Sequence, residues 1–533
     1  MHEMGEYDRR ACLRAIGAAG AVGVTGIAGV SGNGGATNDA ARATQDGSQL
    51  SYALQESIVA MDFALAYDFT TNKVTNNVWD TLVTYTYDDP PELTNWLASN
   101  VETEGDTSYV YELRDATFHN GEPVTAGDVK ASFERIRNPD VASPLSWALE
   151  NVQEGDDGIE VVDERTVRFN LAEQSAVWRY MPGFVGIGPA SAMDEHGVDF
   201  GRNPGTTVGS GPFAVESWSQ GNQIELVRHD DYWNDDLPMA DGITFSIVPE
   251  GSSRVTGLST GEHDVVGNLP PQQWQQVSNM GNARIDRGTT FLEYKLSMQN
   301  QREPWQSDKQ LRQALAYATN WDQIIENVYF GTAVRQQGPL PQNMRWHNDE
   351  LDLYGHDPER AQELYDQSGG IDRPIEFIAT QGTQARVAVI VQEQWRDALG
   401  VEVNVNQMPY EQLLPRIENG EYDIQYDGWG SDYPDPDGQL YSQYNSEFWP
   451  PNNNESWYEN GEVDDLLEQA RTTTDEAERE ELYKRIQEIV HDDVPAIWGV
   501  LVEQGFGVNE SLSFPEVTPM WYWQDVGARV GPQ

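Results

Sequence analysis

The sequence predicts an α/β fold whose second half contains a parallel β-sheet, and three consecutive segments carry this prediction. Residues 375–380 form an apolar run typical of a buried strand, and residues 388–398 place apolar side chains at helical spacing before Gly400. Residues 401–405 then alternate valine with polar residues, which is the period of a strand. A strand, a helix and a strand in this order form a right-handed parallel crossover in almost every known case.

A third strand ends this unit at a loop that is the first candidate for a binding site. Residues 413–417 predict a helix that stops at Gly420, and residues 422–426 predict the strand. The strand leads into residues 428–438, named the acidic loop below, which contain one tryptophan, three aspartates and two prolines. Ligands of open parallel sheets bind outside the carboxyl ends of the strands. Composition alone fits an acidic surface turn equally well.

Further helices are predicted by caps and by apolar spacing. Asp357 precedes Pro358, a pair typical of a helix start, and apolar side chains follow at helical spacing as far as Gly369. Residues 311–318 and 324–328 show the same spacing, and Gly331 ends the second of these segments. These stripes are expected to pack into the core.

The charge balance of the chain excludes one class of function and indicates a habitat. The 533 residues carry 87 acidic against 33 basic side chains, which leaves a formal charge of -54. Such a surface repels phosphate backbones, so nucleic-acid binding is excluded. Only five of the basic residues are lysines, and this composition resembles proteins of extremely halophilic archaea. We therefore expect the fold to need molar salt, which screens the repulsion between its charges.

The N-terminus predicts export from the cytoplasm. Arg9 and Arg10 precede a weakly apolar run rich in glycine and alanine, so residues 1–31 resemble a twin-arginine signal peptide. Residues 32–47 are rich in small and polar residues and predict a disordered spacer. Cys12 is the one cysteine of the chain, so disulfides within it are excluded. The protein is expected to be extracellular or associated with the cell surface.

Five sequence blocks occur in a recognisable order along the chain. Residues 109–138 contain Phe-His-Asn-Gly at positions 118–121, and residues 209–213 are Gly-Ser-Gly-Pro-Phe. Further blocks lie at 261–264, 311–318 and 354–361. This series resembles the oligopeptide/dipeptide class of solute-binding proteins, which serve ATP-driven (ABC) importers. The family usually has aspartate where this chain has Asn120.

The resemblance implies a two-lobed clamp of the type II periplasmic-binding-protein kind. Residues 291–299 and 496–508 would cross between the lobes, and hinge closure would enclose the ligand. The parts implied are a lobe I core at 48–75, 207–297 and 498–533, an extra subdomain at 76–206, and lobe II at 298–497. These names are kept below for those ranges.

The resemblance also assigns roles to residues of the acidic loop. Peptide-binding members place an aspartate three residues after a loop tryptophan to meet the α-ammonium of the ligand, and Asp432 follows Trp429 at that spacing. The predicted ligand-binding residues are Trp429, Gly430, Ser431, Asp432, Tyr433 and Arg386. Arg386 stands near the position where dipeptide binders carry an arginine for the ligand carboxylate. Asp435 and Asp437 are expected to shape the loop or face solvent.

The expected function is capture of a peptide and its delivery to a membrane permease. The partners implied are the permease and the ATPase subunits, and the receptor itself is expected to be monomeric, with no catalytic residue, cofactor or metal. An oligosaccharide or another small solute is an alternative ligand, because the 17 tryptophans could stack on sugar rings. A secreted acidic hydrolase is the alternative of a different class. Its one serine motif, around Ser259, has a helix where a hydrolase elbow needs a strand.

Overall fold

The computed structural model of the chain describes residues 48–533, so the predicted signal peptide at 1–31 and the spacer at 32–47 lie outside the described residues. The strands are β1 (Gln49–Leu54), β2 (Val83–Tyr85), β3 (Leu93–Asn95), β4 (Ala98–Glu104), β5 (Ser108–Leu113), β6 (Ile159–Asp163), β7 (Thr166–Asn170), β8 (Phe213–Ser219), β9 (Gln223–Arg228), β10 (Gly242–Ile247), β11 (Val265–Val266), β12 (Ala283–Met298), β13 (Ala333–Arg335), β14 (Ile375–Ala379), β15 (Val403–Gln407), β16 (Ile424–Trp429), β17 (Ala496–Asn509), β18 (Leu512–Ser513) and β19 (Gly531–Pro532).

The α-helices connect these strands and cover the sheets. They are α1 (Phe69–Thr75), α2 (Ala126–Arg137), α3 (Ala190–His196), α4 (Gly251–Thr260), α5 (Pro271–Ser278), α6 (Lys309–Ala318), α7 (Trp321–Val328), α8 (Pro358–Gln367), α9 (Thr383–Leu399), α10 (Tyr410–Glu418), α11 (Pro436–Tyr444), α12 (Gly461–Thr472) and α13 (Glu476–Asp493). Among the described residues, no helix is both long and apolar enough to cross a membrane.

A mixed sheet runs through the molecule in the order β15-β14-β16-β12-β17-β11-β1-β10-β9-β8, and β13 pairs with β17 beside this path. Strand β14 pairs in parallel with both β15 and β16, which confirms the predicted crossover. The pairs of β12 with β16 and with β17 are antiparallel. The parallel unit of lobe II is therefore joined to the strands of lobe I through two long antiparallel strands.

Strands β12 and β17 overlap the two segments predicted to cross between the lobes: β17 has nearly the predicted bounds, whereas β12 begins at Ala283, eight residues before the predicted segment. Their pairing contains a β-bulge, because Thr289 opposes Glu503 and Glu293 opposes Leu501. Three residues of β12 therefore stand opposite the single residue Val502. The hydroxyl of Thr290 donates a hydrogen bond to the carbonyl oxygen of Val502 over 2.8 Å. This side chain partly replaces the backbone bonds that the bulge interrupts.

A second sheet, in the order β4-β5-β7-β6, lies within the predicted extra subdomain. Helix α2 packs against it and begins with a capping box, in which Thr125 and Asp128 satisfy each other's backbone N–H groups. The ranges assigned to the lobes and to the subdomain stay predictions.

Several boundaries of the parallel unit differ from the prediction; β16, for example, begins at Ile424 and not at residue 422. Helix α9 ends at Gly400, whose φ of +68° is left-handed, and the N–H of Val401 still bonds back to Trp395. Strand β15 therefore begins at Val403, two residues later than predicted. Strand β16 extends to Trp429, which we placed in the loop, because Trp429 pairs with Glu293 of β12.

Candidate ligand-binding site

A cavity of about 550 Å³ lies where β12 and β17 pass between the two halves of the sheet, and both lobes line it. Its volume is in the range of small-molecule sites. Lobe I contributes α1 and the segment before α5, and lobe II contributes the start of α9 and the acidic loop. The aromatic side chains of the wall include Tyr67, Phe69, Trp274, Tyr294, Tyr329 and Trp429.

Asp432 lies at this wall, half-buried, and is held from the opposite lobe. The hydroxyl of Tyr67 donates to Oδ2 of Asp432 over 2.9 Å. The hydroxyl of Tyr522 donates to the carbonyl oxygen of Ser431 over 2.8 Å. Two phenols of lobe I therefore fix the carboxylate and its backbone at the cavity.

Trp429 and Gly430 lie at the wall beside Asp432. The indole N–H of Trp429 donates to the carbonyl oxygen of Gly438 over 3.0 Å, which ties the two ends of the acidic loop together. A Cβ atom on Gly430 would be 3.6 Å from Leu292 of β12, an ordinary contact. The predicted ligand contacts of Trp429 and Gly430 stay predictions, and their position is compatible with them.

Ser431 and Tyr433 are not among the lining residues, although the same loop carries them. Ser431 is fully buried, and its hydroxyl donates to the carbonyl oxygen of Tyr433 over 2.6 Å. The ring of Tyr433 stacks on Tyr180 of the extra subdomain with 5.4 Å between centroids. Its hydroxyl donates to Asp437 over 2.6 Å. Both side chains support the wall from behind, so we assign them no ligand contact.

Asp435 and Asp437 shape the loop and do not face solvent, since both are at most 2% exposed. Asp435 accepts hydrogen bonds from Arg479 over 2.8 and 3.0 Å, and it caps α11 at the N–H of Asp437. Burial alone would lower the pKa of Arg479, but the carboxylate of Asp435 raises it above its ordinary value. Burial raises the pKa of Asp437, and the nearby Arg471 opposes this effect. These ion pairs hold residues 435–438 rigidly. These residues are named the inner half of the acidic loop below, and residues 428–434 are named its outer half.

Arg386 is exposed in the first turns of α9 and lines the cavity. Its Nη2 donates to the hydroxyl of Thr383 over 3.3 Å. A guanidinium on α9 and the carboxylate of Asp432 thus belong to one cavity. Opposite charges on one wall suit a ligand that carries both an ammonium and a carboxylate.

Several residues of the wall were missed by the sequence analysis. They are Glu56, Tyr67, Glu503 and Tyr522. Burial is the first cause that raises the pKa values of Glu56 and Glu503. The four residues come from the two ends of the chain, so local spacing holds no signal for them. Within residues 48–533, no group of three His, Cys, Asp or Glu side chains could hold a metal ion.

Ser259, the serine of the hydrolase alternative, lies in the last turn of α4, since the helix predicted over residues 252–258 extends to Thr260. Its hydroxyl donates to the carbonyl oxygen of Thr256 over 2.8 Å. The helix precedes β11, so Ser259 is not on a turn between a strand and a helix. Ser259 is also absent from the lining of the cavity.

Two lobes joined by paired strands, with a cavity between them and charges of both signs at its wall, define a solute-binding protein of the clamp type. Residues 92–450 match the family model described as bacterial extracellular solute-binding proteins, family 5 middle. Because this match spans more than half of the sequence, the chain belongs to family 5 of the extracellular solute-binding proteins.

Relatives and solved structures agree with this membership. The chain is 28% identical over 438 residues to the probable D,D-dipeptide-binding periplasmic protein DdpA of Escherichia coli K12, covering 80% of this chain and 81% of that protein. It is 28% identical over 426 residues to the glutathione-binding protein GsiB of Pectobacterium atrosepticum, covering 77% and 81%.

The fold resembles that of solved binding proteins over nearly their whole length. The periplasmic binding protein DppA of Helicobacter pylori, in complex with the peptide STSA, has a TM-score of 0.73 and 25% identity, with 91% of this chain and 98% of that one covered. HbpA2 of Haemophilus parasuis has a TM-score of 0.82 at 21% identity, with 91% and 100% covered. The expected two-lobed type II clamp is thereby confirmed.

Proposed function

We propose that this protein captures short peptides in the interlobe cavity and delivers them to the permease of an ABC importer. The observation that carries the proposal is the carboxylate of Asp432 at the wall of the same cavity as the guanidinium of Arg386. A free peptide is a zwitterion, and these two groups match its two ends. The relatives named above that bind a dipeptide or glutathione support the same class of ligand.

Asp432 would bind the α-ammonium of the peptide. A charge-assisted hydrogen bond of this kind contributes roughly 1.5 to 3 kcal/mol. Arg386 would bind the terminal carboxylate, since a guanidinium can donate two parallel hydrogen bonds to it. Main-chain groups can pair with an extended peptide whatever its side chains, which allows broad specificity.

The cellular setting belongs to the same proposal. Relatives of this family are extracellular or periplasmic by name. We infer export by the twin-arginine route through Arg9 and Arg10, function outside the cytoplasm as a monomeric receptor, and partnership with separate permease and ATPase subunits. The receptor would carry no catalytic activity of its own. The composition supports a halophilic source.

A thermal-shift panel in molar salt tests the ligand class. Di- to pentapeptides are compared with short glycans, because a ligand that binds only the folded state adds about 2.7 kcal/mol of stability at a hundred times its Kd. We expect peptides to raise the Tm. A rise with glycans alone would replace the peptide by a sugar ligand.

Mass spectrometry of the same mixtures separates a receptor from a hydrolase. We expect intact peptide to remain bound in a fixed ratio to protein. Peptide fragments that accumulate with time would contradict the receptor and favour the hydrolase.

A further inference from the structure

One charged residue of the cavity wall has no role in binding the ammonium or the carboxylate of a zwitterionic peptide. The charged lining residues are Glu56, Arg386, Asp432 and Glu503. In the proposed function, Asp432 and Arg386 meet the two ends of the ligand. Glu503 already forms an ion pair with Arg287 over 3.4 Å. Only Glu56 has no counterpart in this account.

Glu56 lies on lobe I, directly after β1, and its side chain is half-buried. Within residues 48–533 its carboxylate makes no hydrogen bond and no ion pair. The charges of Lys73 and Arg254 attract this carboxylate, but without a hydrogen bond it still carries a desolvation cost that a cation in direct contact can reduce. Closure of the lobes on a ligand would exclude more water from this wall and raise that cost further.

The two cations whose charges act on Glu56 donate their hydrogen bonds to other partners. Nζ of Lys73 donates to the side-chain oxygen of Asn268 over 2.7 Å. The guanidinium of Arg254 donates to the carbonyl oxygens of Val248, Pro249 and Asn268 over 2.7 to 2.9 Å. Both cations lie behind the wall, since Arg254 is 1% and Lys73 is 7% exposed. Arg254 thereby holds the backbone of the lobe I wall and Lys73 holds the side chain of Asn268, and neither cation is among the residues that line the cavity, whereas Glu56 is.

We propose that Glu56 selects peptides that carry a basic side chain, by pairing with the ammonium or guanidinium of that side chain. This inference rests on the proposed function, in which Asp432 and Arg386 bind the two ends of the peptide. The ligand class is thereby narrowed from peptides in general to cationic peptides. The general acidity of the chain also attracts a lysine peptide more than an uncharged one, so the affinities are compared in molar salt, which screens exposed charges far more than partly buried ones.

The test compares lysine with norleucine, which has a side chain of similar shape without the ammonium. Three tripeptide pairs place lysine or norleucine at the first, second or third position of an otherwise all-alanine peptide, and calorimetry in molar salt gives each Kd. We expect at least one lysine peptide to bind about 10- to 150-fold more tightly than its norleucine partner. Kd values within about twofold in all three pairs would overturn the inference.

Two variants test whether Glu56 is the residue that causes the preference for lysine peptides. Glu56→Gln keeps the size of the side chain and removes its charge, so it is expected to weaken the lysine peptide to the level of the norleucine peptide. The matched control is Glu195→Gln, on the exposed surface of α3 and outside the cavity. It is expected to leave both Kd values unchanged. A lysine preference that survives in Glu56→Gln would assign it to another residue and overturn the role of Glu56.

The pH dependence of the preference needs no variant. Burial raises the pKa of Glu56, Asp68 raises it further, and Lys73 and Arg254 lower it. Protonation of Glu56 removes its attraction for a cation, so the ratio of the two affinities is expected to fall as the pH falls through this raised pKa. A group that acts on both peptides alike cancels in the ratio. A ratio that stays constant down to pH 3 would count against Glu56.

The outcomes separate this inference from the proposed function. If lysine and norleucine peptides both bind with equal affinity, peptide capture stands and the role of Glu56 fails. If no tripeptide binds to the wild-type protein, the proposed function fails and this inference fails with it.

Discussion

The outer and inner halves of the acidic loop carry the same residue type in opposite surroundings. Asp432, in the outer half, is half-buried at the cavity and bonds to Tyr67 across the cleft. Asp435, three residues later, is fully buried and paired with Arg479. Each aspartate accepts a hydrogen bond from a tyrosine outside lobe II, since Tyr180 of the extra subdomain donates to Asp435 over 3.3 Å. Exposure to the cavity, rather than residue type, separates the residue proposed for binding from the residue that holds the loop.

This difference follows from how the loop is built. Asp435 occupies the N-cap of α11, so it points back into the lobe, where α13 supplies Arg479. Asp432 precedes that turn, three residues after the end of β16, and lines the cavity. Asp432 and Asp435 therefore differ in function although they are close together in the sequence.

The largest expected effect is on stability and comes from the inner half. Asp435→Ala leaves Arg479 as a buried unpaired charge, and we expect the free energy of unfolding to fall by about 3 to 5 kcal/mol. Urea denaturation in molar salt measures this change. Asp432→Ala is the matched control, with a clearly smaller loss because its carboxylate is half-exposed. Equal losses would remove the distinction between the halves.

The second effect is on ligand affinity and comes from the outer half. Asp432→Ala is expected to weaken peptides with a free amine by ~1.5 to 3 kcal/mol, because it removes the proposed partner of their ammonium. N-acetylated peptides of the same sequence should change little. Isothermal titration calorimetry measures both series, and equal weakening of the two would refute the ammonium role.

The smallest expected effect separates the two tyrosines. Tyr67→Phe removes the hydroxyl that orients Asp432, and we expect peptides to bind about 1 kcal/mol more weakly. Tyr180→Phe removes the hydroxyl that reaches Asp435, and it should lower the unfolding free energy without changing the peptide Kd. The two variants delete the same group, so either one serves as the control for the other. If Tyr180→Phe alone weakened peptide binding, the inner half of the loop and not the outer half would be the part that acts on the ligand.

Local patterns predicted the parallel unit of lobe II because its elements are set by neighbouring residues. Alternating valines and a glycine at the helix end need no distant partner, and the glycine at position 400 does adopt the left-handed conformation. The later start of β15 follows from the local cap of α9, whereas the extension of β16 to Trp429 follows from pairing with the distant strand β12. Periodicity in one segment does not reveal such a partner.

The wall of the cavity was predictable only in part for the same reason. The loop was located by its place after a strand, and the resemblance supplied a role for Asp432. Tyr67 lies 365 residues from Asp432 in the chain, so no spacing rule connects them. Within the loop, the sequence did not separate Ser431 and Tyr433, which lie behind the wall, from Trp429 and Asp432, which line it.

The bulge opposite Val502 lies at the cavity, because its three residues Thr290, Phe291 and Leu292 line it. If the lobes close about the crossing strands, as the resemblance to clamp-type binding proteins implies, this pivot would be in direct contact with a bound ligand. A rotation of a few degrees at such a pivot swings the far rim of each lobe through many times the distance moved at the centre. A ligand bound against these three residues would therefore need to move them only slightly to displace the rims of the lobes by a larger distance. The surface that the lobes present to the permease would then differ between the empty and the bound protein.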